Sequence, residues 1–159
     1  MPILLEGAFM CLLLLLICVV GIANGPEGLV IFYEENVQQR AVELGLTTKE
    51  RIKITKIISG LLLFLPVIFL APAMVYWLNG TRGFYPVFWQ ITGILMIEGL
   101  FDRLFIDWYW VEHTKTWQIP GTEDLKPYIP AKTKIAKWVS TLIGYPAWAA
   151  FASGILTLL

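Results

Sequence analysis

The sequence predicts an all-α integral membrane protein, a four-helix bundle that forms a single transmembrane domain over residues 1–159. Hydrophobic residues make up 57% of the chain, and the mean hydropathy is +0.69, which is far more apolar than a typical soluble domain. Three runs of 20, 25 and 22 residues carry no charged side chain, namely Gly7–Pro26, Ile57–Thr81 and Trp138–Leu159. Each is long enough to cross a bilayer core of about 30 Å. A soluble protein this apolar would need a larger core than the chain can enclose.

The first span is expected over residues 4–26. Its end should break or kink at Asn24-Gly25-Pro26, because proline removes a backbone donor and glycine loosens the helix. A connection over residues 34–53 follows. Within it, Asn36–Leu44 has helix-forming composition, with Asn36 as a candidate N-cap and Gly45 as a C-terminal stop. The sequence therefore predicts a short helix between the first two spans.

The second span is expected over residues 54–78, on a helix that begins near Thr48. Thr47-Thr48-Lys49-Glu50 has the pattern of a capping box, and Pro66 and Pro72 should bend the helix further along. The third and fourth spans are expected over residues 84–110 and 135–158, joined by a connection over residues 114–133. That connection is rich in apolar and aromatic residues, so we expect it to fold back on the protein.

The charge distribution predicts the orientation. Five basic residues lie in or beside the first connection and five in or beside the third, whereas the second has only Arg82. By the positive-inside rule the first and third connections are cytoplasmic and both termini lie on the outer side. The lipid bilayer is the expected surrounding, with the plasma membrane as the expected location. A formal net charge of zero leaves no basic face for a nucleic acid.

The third span contains the only hint of chemistry. Its charge-free run, Gly83–Ile97, has 15 residues and is followed by Glu98, Asp102 and Arg103. A spanning helix needs about 20 apolar residues, so some of these charges must lie in or near the bilayer. Counted from Phe84 along an α-helix, Glu98 lies roughly 21 Å deep and Asp102 roughly 27 Å deep. Glu98 is therefore expected within the hydrocarbon and Asp102 at its inner edge.

A helical wheel at about 100° per residue divides the polar residues of this helix into two stripes. One stripe contains Glu98, Asp102, Tyr109 and His113. The other contains Arg103 and Asp107, which at a spacing of four residues are expected to form a structural ion pair. Asn24 and Glu27, at the end of the first span, should lie at the same depth as the first stripe. Together these residues predict a polar pocket that faces the cytoplasm.

Three functions remain open at this stage. The preferred hypothesis is a module that binds or transports a small cationic solute or ion through Glu98, Asp102, Asn24 and Glu27. It would act as a homo-oligomer or with a partner subunit, because one bundle encloses little room for a path. The second is a membrane-embedded enzyme acting on a lipophilic substrate, with His113 and Tyr109 transferring protons and Asp102 or Glu98 orienting them. The third is an accessory subunit in which Glu98 merely pairs with Lys56 or Lys137.

No metal centre or cofactor is predicted from the motifs. The chain has a single histidine, and therefore lacks the paired histidines at helical spacing that many metal sites use. The two cysteines, Cys11 and Cys18, lie seven residues apart on one predicted helix. That separation is about 10 Å along the helix axis, too far for a disulfide.

Overall fold

The computed structural model describes residues 2–159, and within that range the chain forms helices and no strands. Four helices are long and apolar enough to cross a membrane, which confirms the predicted all-α class. The elements in chain order are α1 (Pro2–Ile22), α2 (Glu35–Glu43), α3 (Lys49–Leu78), α4 (Phe84–Val111) and α5 (Ala131–Thr157). Two 3₁₀ helices, Pro26–Phe32 and Glu123–Leu125, lie in the connections.

The chain breaks after α1 where the sequence predicted a break or kink. α1 ends at Ile22, four residues before the predicted end of the first span, and a 3₁₀ helix starts at Pro26. Gly25 has φ +122, a conformation that side-chain-bearing residues rarely adopt. The backbone therefore turns sharply here and carries the next segment back toward the bundle.

The starts and stops of α2 and α3 follow local capping chemistry. α2 begins at Glu35 with Glu34 as the N-cap, two residues before the predicted N-cap Asn36. It stops before Gly45, which has φ +71. At the start of α3, the Thr48 hydroxyl accepts a hydrogen bond of 3.2 Å from the Arg51 backbone N–H. Thr48 is thus the N-cap, and the helix starts where the sequence predicted. The capping box does not form among the described residues, because it would use Thr47 as the N-cap and Glu50 as its reciprocal partner.

Helix α4 lies at the centre of the bundle, between α1 and α5. Its residues Ile91, Ile94 and Leu95 are completely buried, and they pack with Met10 of α1 and Ala149 of α5. The second half of α3 joins the same core through Ala71, Met74, Val75 and Tyr76. This core fills the end of the bundle at which both chain termini lie, which we call the terminal end.

The opposite end of the bundle, which we call the loop end, is covered by α2 and the 114–130 connection. Trp117 and Ile119 of that connection are 3% and 0% exposed, and they pack with Val30, Val37 and Ala41. The expectation that this apolar connection folds back on the protein is therefore confirmed. It closes the loop end of the bundle.

Helix α3 joins the bundle along only part of its length. Its first part, Lys49–Leu65, has Ser59 as its one buried residue. The Trp148 indole N–H of α5 donates a hydrogen bond of 3.2 Å to the Val67 carbonyl, which marks where α3 and α5 come together. Between that contact and the loop end, α3 stands away from α5 and leaves a space.

Candidate functional site

The space between α3 and α5 is a cavity of about 300 Å³. Leu63, Phe64 and Val67 of α3 form one side, and Leu14 and Cys18 of α1 contribute to the wall. α5 forms the other side, where Lys137, Ser140, Thr141 and Tyr145 line the cavity, and α4 forms part of the wall from Glu98 to Val111. Phe64 and Ser140 on the rim are exposed. The cavity therefore opens sideways, between α3 and α5, to the outside of the bundle.

A buried carboxylate lines this cavity. The Glu98 side chain is 7% exposed, and its Oε2 accepts a hydrogen bond of 3.0 Å from the Tyr145 hydroxyl. Within residues 2–159, no ion pair joins Glu98 to a lysine, arginine or histidine. Such a carboxylate is costly to bury unless a proton or a cation neutralises it. Glu98 is thus a built-in acceptor for a proton or a cationic group.

The residue next to Glu98 explains how Tyr145 reaches it. A Cβ atom added to Gly99 would lie 2.7 Å from the Tyr145 ring and 2.7 Å from the Thr141 methyl group. Only a residue without a side chain allows α5 to approach α4 this closely. The Glu-Gly pair therefore supplies both the carboxylate and the room for its hydrogen-bond donor.

A second group of charges lines the wall between Glu98 and the loop end. Arg103 pairs with Asp102 through Nη2 and with Asp107 through Nη1, the latter at 3.0 Å. Lys137 of α5 lies 2.7 Å from the other oxygen of Asp107. Two cations and two carboxylates thus balance one another, and they tie α4 to α5. In the described part of the chain, Arg103 Nε is buried and has no hydrogen-bond partner.

The helical wheel misplaced several of these residues because α4 changes its geometry after Phe101. Asp102–Val111 is a π-helix, whose i→i+5 hydrogen bonds reduce the rotation to roughly 80° per residue. Over this segment Asp107 turns roughly 100° back toward Glu98, and Tyr109 turns roughly 140° away from it. Asp107 consequently turns toward the face of Glu98. Arg103 and Asp107 both line the same cavity as Glu98, although the wheel assigned them to a different face.

Tyr109 and His113 are not brought to the cavity, contrary to the predicted stripe. Tyr109 is 51% exposed. His113 is also exposed, and its Nδ1 lies 2.5 Å from the Trp108 carbonyl oxygen, to which it donates. No carboxylate among residues 2–159 lies within hydrogen-bond distance of His113. The geometry therefore gives no support to these two residues as a proton-transfer pair.

Asn24 and Glu27 are also absent from the cavity wall. Asn24 is exposed, and the Glu27 carboxylate lies over Gly25 in the turn after α1. The early end of α1 at Ile22 is the physical reason, because the chain has already left the helix when it reaches Asn24. Of the predicted binding residues, the structure brings together only Glu98 and Asp102.

Aromatic residues close the cavity at the loop end. The Tyr33 hydroxyl donates a hydrogen bond of 2.5 Å to the Trp117 carbonyl, and the Tyr33 ring meets Tyr128 edge-on at 5.0 Å. The Tyr128 hydroxyl lies 3.0 Å from the Thr122 hydroxyl. Burial raises the pKa of Tyr33, with smaller contributions from Tyr128 and Glu27. Tyr33 therefore remains a protonated donor, and it fixes the connection over the cavity.

From the sequence, only Lys137 of α5 was named, as a partner of Glu98, whereas Lys137 pairs with Asp107; the rest of the contribution of α5 was missed. Lys137, Thr141 and Tyr145 recur every four residues and therefore share one face of a helix. All three line the cavity. This stripe of polar residues on an otherwise apolar helix could have predicted from the sequence that α5 lines the site.

The donor set of the described residues does not point to a metal. Among residues 2–159, no group of three or more histidine, cysteine or acidic side chains could hold a metal ion.

No protein-family model matches the chain, and neither a curated protein nor a solved structure is significantly similar to it.

Proposed function

We propose that this chain is an integral membrane protein that crosses the bilayer four times, with both termini on the outer side. Its four long helices expose large apolar side chains such as Leu5, Phe64, Phe69, Ile143 and Phe151, which are 60–73% exposed. A soluble monomer rarely exposes such extended apolar surface, but lipid covers it. The basic connections set the orientation, and the plasma membrane is the proposed location.

We further propose that the protein binds an amphipathic molecule whose polar end is cationic, and that this molecule enters from the bilayer. One observation carries the proposal: the Glu98 carboxylate lines the cavity without a cation of its own. A ligand cation would supply the missing charge. Tyr145 fixes the carboxylate from one side by its hydrogen bond of 3.0 Å, which leaves the remaining lone pairs for the ligand.

The cavity walls favour a lipophilic ligand over a bare ion. Leu14, Leu63, Phe64 and Val67 supply apolar surface on the α1 and α3 sides. The opening lies between α3 and α5, whose outer surfaces face lipid in the proposed orientation. An apolar tail can therefore remain among these side chains and in the bilayer while the polar end reaches Glu98.

The core at the terminal end argues against passage of an ion through a single copy. Ile91, Ile94 and Leu95 are 0% exposed and fill the bundle between Glu98 and the outer side. At the opposite end the cavity is lined by the buried residues Tyr33, Trp117 and Tyr128 and by Phe32, which is 42% exposed. A cavity that is blocked toward the terminal end and exposed along its side supports binding from the membrane. Transport would need a homo-oligomer or a partner subunit that supplies the path.

A binding measurement tests the proposal. The purified protein is reconstituted in nanodiscs of phosphatidylcholine, and the binding of a fluorescent long-chain alkylamine is compared with that of the alcohol of the same chain length. The wild type should bind the amine about tenfold more tightly or better, the gain expected for a hydrogen bond to a charged group. Glu98→Gln should abolish the difference between amine and alcohol.

Glu112→Gln is the matched control. Glu112 lies on the same helix and pairs with Lys134 at 2.6 Å, but it does not line the cavity. This variant should keep the preference for the amine. Equal preference in the wild type and in Glu98→Gln would refute the proposal.

A further inference from the structure

Arg103 has an unused donor on the same cavity wall as Glu98. Its Nη1 and Nη2 pair with Asp107 and Asp102, but within residues 2–159 its Nε has no partner. The Arg103 side chain is 9% exposed, so this N–H has little access to water. A buried donor without an acceptor costs free energy, and native proteins rarely leave one unexplained. A hydrogen-bond acceptor on a ligand would satisfy it.

Glu98 and Arg103 are near neighbours along α4. They are five residues apart on α4, which corresponds to about 7.5 Å along an α-helix. Both line the same cavity. Glu98 accepts hydrogen bonds, whereas Arg103 Nε donates one. The ligand that satisfies both carries a donor cation and an acceptor oxygen a few bonds apart.

We infer that the ligand is a zwitterionic phospholipid with a primary-amine head group, and this inference rests on the proposed function. Its ammonium group donates hydrogen bonds to Glu98, and a phosphate oxygen accepts one from Arg103 Nε. A quaternary ammonium has no N–H and cannot make the first contact. Because Asp102, Arg103, Asp107 and Lys137 balance in charge, the phosphate meets no net negative charge beside Arg103.

The remaining features of the cavity agree with this ligand. Its volume of about 300 Å³ holds a head group and the start of the acyl chains. Phe64 and Val67 of α3 then guide the chains through the lateral opening. The contact between Trp148 and Val67 closes the space above them, so the chains leave sideways into the bilayer.

The test uses displacement of the fluorescent alkylamine from the protein in detergent. Lysophosphatidylethanolamine should displace it at about tenfold lower concentration than lysophosphatidylcholine, the value of one hydrogen bond to a charged group. Arg103→Lys keeps the positive charge but has no donor at the Nε position. It should weaken displacement by lysophosphatidylethanolamine about tenfold more than it weakens binding of the alkylamine.

A second measurement needs no change at Arg103. In a background in which Cys11 and Cys18 are both replaced by serine, Ser140→Cys places a thiol on the cavity wall at an exposed position, and its labelling by maleimide reports on the cavity. Lysophosphatidylethanolamine should protect this thiol at lower concentration than an alkylamine of the same chain length, since only the former offers a phosphate oxygen. Equal protection by the two compounds would overturn the phosphate contact, even if Arg103→Lys fails to fold.

The two proposals fail in different ways. If lysophosphatidylethanolamine and lysophosphatidylcholine displace the alkylamine equally well, the primary-amine phospholipid is wrong and the cationic site at Glu98 stands. The primary-amine phospholipid is also wrong, and the cationic site at Glu98 stands, if Arg103→Lys weakens binding of the alkylamine as much as it weakens binding of lysophosphatidylethanolamine. If the wild type does not prefer the alkylamine over the alcohol, the proposed function itself is wrong.

Discussion

Replacing Gly99 by alanine tests whether close packing of α4 against α5 builds the site. The new Cβ atom would lie 2.7 Å from the Tyr145 ring and 2.7 Å from the Thr141 methyl group. Overpacking of this kind costs about 1–3 kcal/mol, and a helical glycine-to-alanine change returns about 0.5–1 kcal/mol. The net loss of unfolding free energy is about 0–2.5 kcal/mol, which lowers Tm by up to roughly 10 °C in a chain of this size.

Thermal unfolding of the purified protein in detergent measures this effect, followed with a thiol-reactive dye that reports exposure of Cys11 and Cys18. Gly154→Ala is the matched control, because Gly154 lies on α5 and a Cβ atom there meets nothing within 4 Å. This control should have a Tm equal to or slightly above that of the wild type. If Gly99→Ala is as stable as Gly154→Ala, α4 and α5 are not packed as described and the account of the Glu98–Tyr145 contact fails.

Two further predictions concern the loop end and the start of α3. Tyr33→Phe should cost about 1–3 kcal/mol at neutral pH, because the buried Trp117 carbonyl loses its donor. Since the pKa of Tyr33 is raised, the stabilisation by its hydroxyl is complete below about pH 10 and is lost as the pH rises further. Urea unfolding at increasing alkaline pH should therefore show the unfolding free energies of Tyr33→Phe and wild type converging. A difference between them that stays constant with pH would contradict this. Thr48→Ala should lower the unfolding free energy by about 1 kcal/mol, because the Arg51 N–H loses its acceptor. Amide hydrogen exchange at Arg51 should become faster, and unchanged exchange would rule out this N-cap.

The starts and stops of several elements could be predicted because they depend on a few neighbouring residues. Gly45 ends α2 since it adopts positive φ, and Thr48 starts α3 since its hydroxyl accepts the Arg51 N–H. Both effects act within four residues of sequence. The N-cap of α2 was predicted two residues too late, because Glu34, which has the extended backbone angles φ −62 and ψ 158, takes that position instead of Asn36.

The contents of the site could be predicted only in part. Local composition identified Glu98 as a buried charge, because the charge-free run before it is too short for a span. The π-helix of Asp102–Val111 has no comparable sequence signal, and it rotates every later residue away from its place on an α-helical wheel. The predictions for Tyr109 and His113 depended on that wheel, and therefore they wrongly placed these residues on the same face as Glu98.

The second wall of the cavity depends on contacts between distant parts of the chain. Tyr145 meets Glu98 across 47 residues of sequence, and Lys137 meets Asp107 across 30. A regular spacing of polar residues on α5 shows that such a face exists. It does not show which helix that face contacts, because the answer depends on where Gly99 permits close approach.

Glu98 also allows a structural role to be separated from a binding role. If its task were only to accept the Tyr145 hydrogen bond, a glutamine would serve equally well, since its carbonyl oxygen accepts the same bond without a charge. An unpaired buried carboxylate costs several kcal/mol relative to a neutral group, and proteins retain such costs at functional sites. Glu98→Gln should therefore unfold at the same Tm as the wild type or above it, while it loses the alkylamine. A marked fall in Tm, without a specific loss of alkylamine binding, would assign Glu98 to packing alone.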